Sequence, residues 1–401
     1  MVSDETTQSS SKDLDQFEDV DWSGQRKLGL VGLIRLPLMF LLFLAMTVPV
    51  IYDLLGPDTG SVELLRWEFA NNEWMYLMSL VFLGLYLLGG AIRSPGAFRI
   101  YWHRFASSWV SLFFGFIAAV LFILATLGPV FVSFPPVDIG HRFQPPPGFT
   151  IESYKINSCI GPVEDLQCHG SWERPLGTQT AGRDLLPYSL FGLQTSFYIG
   201  FTATIIAVTI GTTLGTVAGY LGGVVESVIM RVVDFMHAIP AFFVYALLAA
   251  IMMGAEGDLV VMTLVFGLLS WGGIARLVRS EVLQKREELF VKSAEASGAS
   301  TGYILQRHIL PNTTNTVLPA ATMLIPTFMI FEAALSFLRL GDPTPDVVSL
   351  GGDIMRAFDA QGLSIFDVWW SWLIPAALLI LVLLSVTITG DAVRDATDPR
   401  L

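Results

Sequence analysis

The sequence predicts an all-α polytopic membrane protein with about eight transmembrane helices. Three observations predict it. Of 401 residues, 53% are hydrophobic and only 14% are charged, whereas a soluble domain carries about a quarter charged residues. The mean hydropathy is +0.60. The apolar residues also gather in runs close to the roughly 20 residues that cross a bilayer core at about 1.5 Å per residue. These figures exclude an ordinary cytosolic domain, a disordered chain and a disulfide-rich secreted fold. A net charge of −12 also argues against a nucleic-acid partner. Only five of the 23 basic residues are lysine, and an acidic, lysine-poor membrane protein suits a high-salt prokaryotic cell.

The elements follow in chain order. Residues 1–30 hold seven Asp/Glu against three Lys/Arg and read as an acidic cytoplasmic tail, too polar to offset its ordering entropy. No cleavable signal peptide is visible, because the apolar run after the tail is span-length. Spans are expected at Leu36–Leu55 and Met75–Ile92, which form a hairpin within 31–107. Those of 108–401 are expected at Trp109–Phe134, Leu190–Ala218, Phe235–Gly254, Leu259–Ala275, Asn315–Phe337 and Trp369–Thr389. The seventh of the eight carries Glu332, Pro319 and Pro326.

Orientation follows from Lys/Arg asymmetry between alternate loops. With the N-terminus inside, sixteen basic residues fall on the cytoplasmic side and seven outside, while segments 53–74 and 339–367 outside are acid-rich. Both termini are therefore expected in the cytoplasm of a multi-pass cell-membrane protein. Cys159 and Cys168 both fall in the long outer segment 135–189, where a disulfide would persist. Closing that loop would remove roughly 2.5–3 kcal/mol of unfolded-state entropy; the other reading is two free thiols in a mobile loop. Pro135, Pro136, Pro145, Pro146 and Pro147 predict an extended surface excursion there.

Catalytic motifs are missing. There is no G-x-x-x-x-G-K-[ST] phosphate loop, H-E-x-x-H or paired C-x-x-C. His141 and His169 share the outer segment with acids and could meet over a metal, but a loop histidine is more often solvated. No catalytic, metal or cofactor site is assigned to the chain.

The informative stretch is the cytoplasmic loop 276–312. A helix over Ser280–Ser297 would put Val282, Leu283, Leu289, Phe290, Ser293, Ala294 and Ser297 on one face. Glu281–Lys285 and Glu288–Lys292 would pair in the favourable Glu-first order. Gly298 is a left-handed stop, Ser300 or Thr301 can cap a second short helix, and Pro311 would close it before the next span. Ser293, Ala294, Ala296 and Ala299 would present a small-residue surface to a partner. An amphipathic helix on the inner leaflet is the alternative, but it would favour Trp/Phe/Leu on the buried face and Lys/Arg around it.

This loop resembles the EAA loop of ABC-importer permeases. Ala294, Gly298-Ala299-Ser300 and Ile309-Leu310-Pro311-Asn312 match the dipeptide/oligopeptide group, and the chain looks like the C-type permease of its pair. Arg174-Pro175-Leu176-Gly177-Thr178 and Gly182-Arg183-Asp184 resemble the segment preceding that family's second core helix. Ala218-Gly219-Tyr220-Leu221-Gly222-Gly223, Met230-Arg231-Val232-Val233-Asp234, Leu335-Ser336-Phe337-Leu338, Leu340-Gly341 and the ending Asp395–Leu401 continue the likeness over about 108–401. Lys292 stands where the family usually has glutamate and Ser293 where it has alanine. Arg174 and Gln179 replace His and Asp, and Arg339 replaces glycine.

The resemblance implies a type I importer permease core of six spans behind an added hairpin. The implied partners are a homologous permease, two ATPase subunits that use ATP and Mg, an extracellular solute-binding protein and membrane lipid. It also implies ATPase coupling through Glu288, Phe290, Lys292, Ser293, Ala294, Glu295, Gly298, Ala299, His308 and Pro311. Within the spans, Ala203, Ala207, Gly211, Gly215 and Gly219 recur every four residues and permit close helix approach; a glycine-rich lipid-facing helix is the bland alternative. Glu332 is the acidic residue inside a span, expected to make a structural or gating contact near the outer end. An ion-coupled secondary transporter using Glu332 and Asp234 is the competing function.

Overall fold

The computed structural model describes residues 41–48, 50–51, 61–64, 67–93, 95–252, 258–341, 347–359 and 363–397. The acidic tail 1–30 lies outside them, as do the ends of the expected span Leu36–Leu55; its described residues are helical and bury Met46 and Val50. Among the described residues six helices are long and apolar enough to cross a membrane: α1 (Asn71–Arg93), α3 (Trp109–Phe131), α4 (Leu185–Leu221), α7 (Asp258–Lys285), α10 (Leu310–Phe337) and α12 (Trp370–Thr397). A shorter helix, α2 (Pro95–Phe105), links α1 to α3.

The expected span Phe235–Gly254 is not one helix. It divides into α5 (Gly223–Ala238) and α6 (Ala241–Met252), bent by 78°. Ile239 precedes Pro240 and is extended (φ −104°, ψ 128°), because the proline ring disfavours helical backbone in the residue before it.

Helix α4 is the centre of the bundle, packed on α7, α10, α3 and α1. Its small-residue stripe faces α7 rather than lipid. A Cβ on Gly211 would stand 2.7 Å from the Trp271 carbonyl oxygen, one on Gly215 2.5 Å from that of Ala275, and one on Gly219 2.9 Å from that of Arg279. Ala203 and Ala207 are fully buried higher on the same stripe. Two period-four rows thus lock over five turns, and only residues without side chains let the backbones come so close.

Segment 135–189, expected on the outer side, is a compact layer, not the extended excursion its prolines predict. Strands β3 (Thr150–Glu152), β4 (Val163–Glu164) and β5 (Gln167–His169) form an antiparallel sheet in the order β3-β5-β4. Asp165 and Leu166 turn between β4 and β5 with φ 50° and 60°, the pair of left-handed residues that a tight hairpin needs. Cys159 and Cys168 are joined in a disulfide. Phe143, Ile151, Ile156 and Cys168 pack with Leu185 of α4 and Val368 and Trp370 at the head of α12. That apolar core roots the layer on the bundle. A separate hairpin, β1 (Ser61–Leu64) and β2 (Trp67–Ala70), precedes α1.

Candidate functional site

The loop expected to carry function is built on α7, which runs ten residues past the expected end at Ala275, to Lys285. Two ion pairs fix it to the first half of the broken span: Arg276 Nη2 donates to Asp234 Oδ1 at 2.7 Å, and Arg279 Nε to Glu226 Oε1 at 2.6 Å. Asp234 is therefore an exposed partner of Arg276.

The expected helix Ser280–Ser297 is broken. The chain turns at Arg286–Glu288 and restarts as α8 (Leu289–Ala296). Helical geometry gives the reason. Val282 and Val291 are nine residues apart, which at about 100° per residue puts them on opposite faces of one straight helix. Both are fully buried in one cluster with Ile274, Val278, Ile304 and Ile309, and only a break turns Val291 inward. Glu281 still faces Lys285, at 3.8 Å, but Lys292 pairs with Glu287 at 2.9 Å in place of Glu288. The Lys292 ammonium holds the Glu287 carboxyl below its ordinary range.

Gly298, with φ 77°, ends α8. Ala299 N–H donates to the Ala294 carbonyl and Gly298 N–H to that of Glu295, the paired bonds of a Schellman cap. Ser300 then caps α9 (Thr301–Ile304), its hydroxyl accepting from Tyr303 N–H at 3.3 Å. Pro311 does not close this helix as expected. A π turn at Leu305–Ile309 carries the chain straight into α10, and proline is tolerated in the first turn there because no N–H is needed.

The surface differs from the expected one. Ala294 and Ala299 pack inward against the Val291 cluster. What faces solvent is Leu289 (80% exposed), Phe290 and Tyr303, with Glu288, Lys292, Ser293 and Ala296 around them. The His308 ring lies 5.9 Å from both Phe290 and Tyr303. Glu295 accepts from Tyr220 Oη at 3.0 Å, and Arg286 donates to the Gly219 carbonyl at 3.3 Å, so the loop is tied to the C-terminal end of α4. Tyr303, Val291 and Tyr220 were missed in the sequence; for Val291 the nine-residue arithmetic was the available signal.

The opposite ends of α4 and α10 meet in a polar cluster. Glu332 on α10 is buried and accepts from Ser336 Oγ at 2.9 Å. Beside it α11 (Leu350–Phe358), capped by Ser349, presses on the α10 backbone at Ala333. Asp353 of α11 is buried, and burial pushes its carboxyl up to about 6 despite Arg356 Nη2 at 2.6 Å. Arg356 also donates to Tyr188 Oη at 3.2 Å, and the Arg183 guanidinium lies 4.6 Å from the Phe134 ring. Arg174 pairs with Asp184 at 3.2 Å, and Asp184 caps α4. Gln179 accepts from Thr180 Oγ1 and Ala181 N–H within its own turn.

Arg339 adopts φ 62°, the left-handed backbone that suits glycine, the residue the resemblance implies there. Among the described residues no three His, Cys, Asp or Glu stand together as metal ligands, and His141 pairs with Asp138 at 2.7 Å.

Residues 211–401 match the family described as binding-protein-dependent transport system inner membrane component. The chain is 33% identical over 230 residues to a putative peptide permease protein of Brucella suis, covering 57% of this chain and 74% of that one. It is 36% identical over 225 residues to the oligopeptide transport system permease protein of Escherichia coli, covering 56% and 72%. It is 30% identical over 300 residues to the dipeptide transport system permease protein of Bacillus subtilis, covering 75% and 85%.

Proposed function

The chain belongs to the binding-protein-dependent transport inner-membrane components, the permease subunits of ABC importers, and from that premise we propose that it forms half of a pathway for di- and oligopeptides. The other half is a homologous permease, for which the exposed apolar side of the broken span (Val224, Val228, Phe235, Phe243, Leu247) is suited. Solute arrives on an extracellular binding protein. Two ATPase subunits dock from the cytoplasm and supply the energy of ATP with Mg; this chain does no hydrolysis. Both termini lie on the ATPase side.

One observation carries the docking assignment. The loop is internally rigid, yet it leaves Leu289, Phe290 and Tyr303 in solvent on one side. Side chains held on a rigid element lose little freedom on binding, which favours affinity. The Glu287–Lys292 pair keeps the Lys292 charge matched within the loop, so lysine can stand at the family's glutamate without leaving an unpaired cation. A cleft that closes on this knob would tilt α7 and, through it, α4. The helices would then rock between inward- and outward-facing packings.

The test is co-purification and peptide uptake with the co-expressed ATPase subunits. Phe290→Ala and Leu289→Asp each remove an exposed anchor and leave the buried Val291 cluster intact. A central anchor contributes about 2 kcal/mol, so each change weakens ATPase retention about 30-fold. Full retention and uptake in both variants would remove the loop from the coupling interface.

A further inference from the structure

Helix α2 carries cations and exposed aromatics that the transport reading does not use. At about 100° per residue, Phe98, Tyr101, Trp102 and Phe105 fall on one half of its surface and Arg99, His103 and Arg104 on the other. Phe105 turns inward against Gly115 of α3, and Trp102 stacks on it with centroids 5.9 Å apart. Phe98 and Trp102 nevertheless stay 53% and 57% exposed. The basic half lines a shallow hollow of about 460 Å3 formed by Arg99, Ile100, His103, Arg104 and Ser107.

The position of α2 makes this arrangement specific. It joins the ends of two spans, α1 and α3, so it lies at the boundary between hydrocarbon and water. Ser108 caps α3 beside the hollow, and the partial positive charge of that helix N-terminus adds to the side-chain cations. No Asp or Glu occurs from residue 74 to residue 137. Exposed aromatics at a bilayer boundary settle at headgroup depth, and clustered cations there attract anionic lipid.

We propose that α2 is a headgroup site for an anionic phospholipid. Arg99 and Arg104 hold the phosphate with His103 alongside, and the glycerol and acyl region lies against Phe98 and Trp102. Free phosphate would satisfy the arginines but would leave the aromatic half without a role. A lipid uses both halves.

The test is native mass spectrometry of the purified full chain titrated with phosphatidylglycerol and, separately, with phosphatidylcholine. Wild type is expected to prefer phosphatidylglycerol. The pair Arg99→Gln and Arg104→Gln should weaken that binding about fivefold per arginine, with phosphatidylcholine unchanged. Arg99→Lys with Arg104→Lys should keep the preference, separating lost charge from lost folding. Equal affinity for the two lipids in wild type, or an unchanged preference in the glutamine pair, would overturn the proposal. So would binding of inorganic phosphate as tightly as phosphatidylglycerol. No partner subunit or orientation enters the measurement, so its failure leaves the transport reading standing.

Discussion

Gly215→Ala tests whether the α4–α7 contact is as tight as its geometry implies. A methyl group at Gly215 would lie 2.5 Å from the Ala275 carbonyl oxygen and 3.0 Å from the Ala275 Cα. Both obstacles are backbone, so no side chain can rotate aside. An ordinary carbon–oxygen contact near 3.3 Å is reached only if the helices separate locally by about 0.8 Å. A gap of that order forfeits a quarter to a half of each dispersion contact along the seam, where Ile274, Val278 and Val282 meet the stripe. Overpacking of this kind costs about 1–3 kcal/mol, or roughly 1–4 °C in melting temperature for a chain of this length. The assay is thermal unfolding of the purified protein in detergent, with Gly273→Ala as the control. Gly273 lies on α7 with nothing within 4 Å of an added Cβ. Alanine should be neutral there or stabilise by up to about 1 kcal/mol, through helix propensity alone. If Gly215→Ala melted with Gly273→Ala, the close approach would be refuted.

Two other perturbations read the outer end. Arg339→Gly relieves a left-handed strain of about 1–2 kcal/mol and gives up only the exposed ion pair with Asp359, worth about 0–1 kcal/mol; thermal unfolding should show a small gain, and a loss would contradict the strain. Asp353 gives a pH effect of definite sign. Its folded pKa, about 6, exceeds the ordinary 3.8, so the native state binds more protons between those values and the stability contribution falls as pH rises through that window. Asp353→Asn should remove a slope on the order of 3 kcal/mol, read as the difference between variant and wild-type melting across pH 4–7. The charged and titratable groups facing Asp353 are Arg356, Arg183, Tyr188 and Glu332, and a difference that is flat with pH would show that its carboxyl is not shifted.

The spans were legible because their signal is length and apolarity, and the stripe because period four recurs over five positions. Pro240 was also visible, but its consequence was not drawn: a proline in an apolar run reads as part of a span until the residue before it is given its extended backbone. The β4–β5 turn carries Asp165-Leu166 where glycine or asparagine would have announced it, so tertiary packing and the disulfide impose what local preference does not. Helix α2 was hidden because its arginines interrupt the apolar pattern used to find spans. The loop failed in an instructive way. Reading 280–297 as one helix maximised its own amphipathic face and so buried Leu289 and Phe290 on paper. The chain instead buries Val291 and releases those two to solvent, and that choice depends on Ile304 and Ile309, residues beyond any local window.

What links loop 276–312 to the opposite end of the bundle is contiguity of packed helices, not a signal passing through irregular chain. The loop hangs between α7 and α10, and both helices run on from it to the opposite end of the bundle. Helix α4 is locked to α7 along the glycine stripe and tied to the loop by Tyr220 and Arg286. At the far end, α10 meets α11 at Glu332 and Ala333, and α11 returns to α4 through Arg356 and Tyr188. Helices α4 and α10 are thereby tied at both ends, with α7 locked along α4, so a displacement at Leu289 and Phe290 is expected to move them together. Motion must then be absorbed elsewhere, and a few element-terminal residues suffice as a hinge. The break at Ile239–Pro240 is such a place: α5 is pinned to α7 by two ion pairs, while α6 stands at 78° to it. The bend therefore separates the part of the span that must follow the lever from the part that need not.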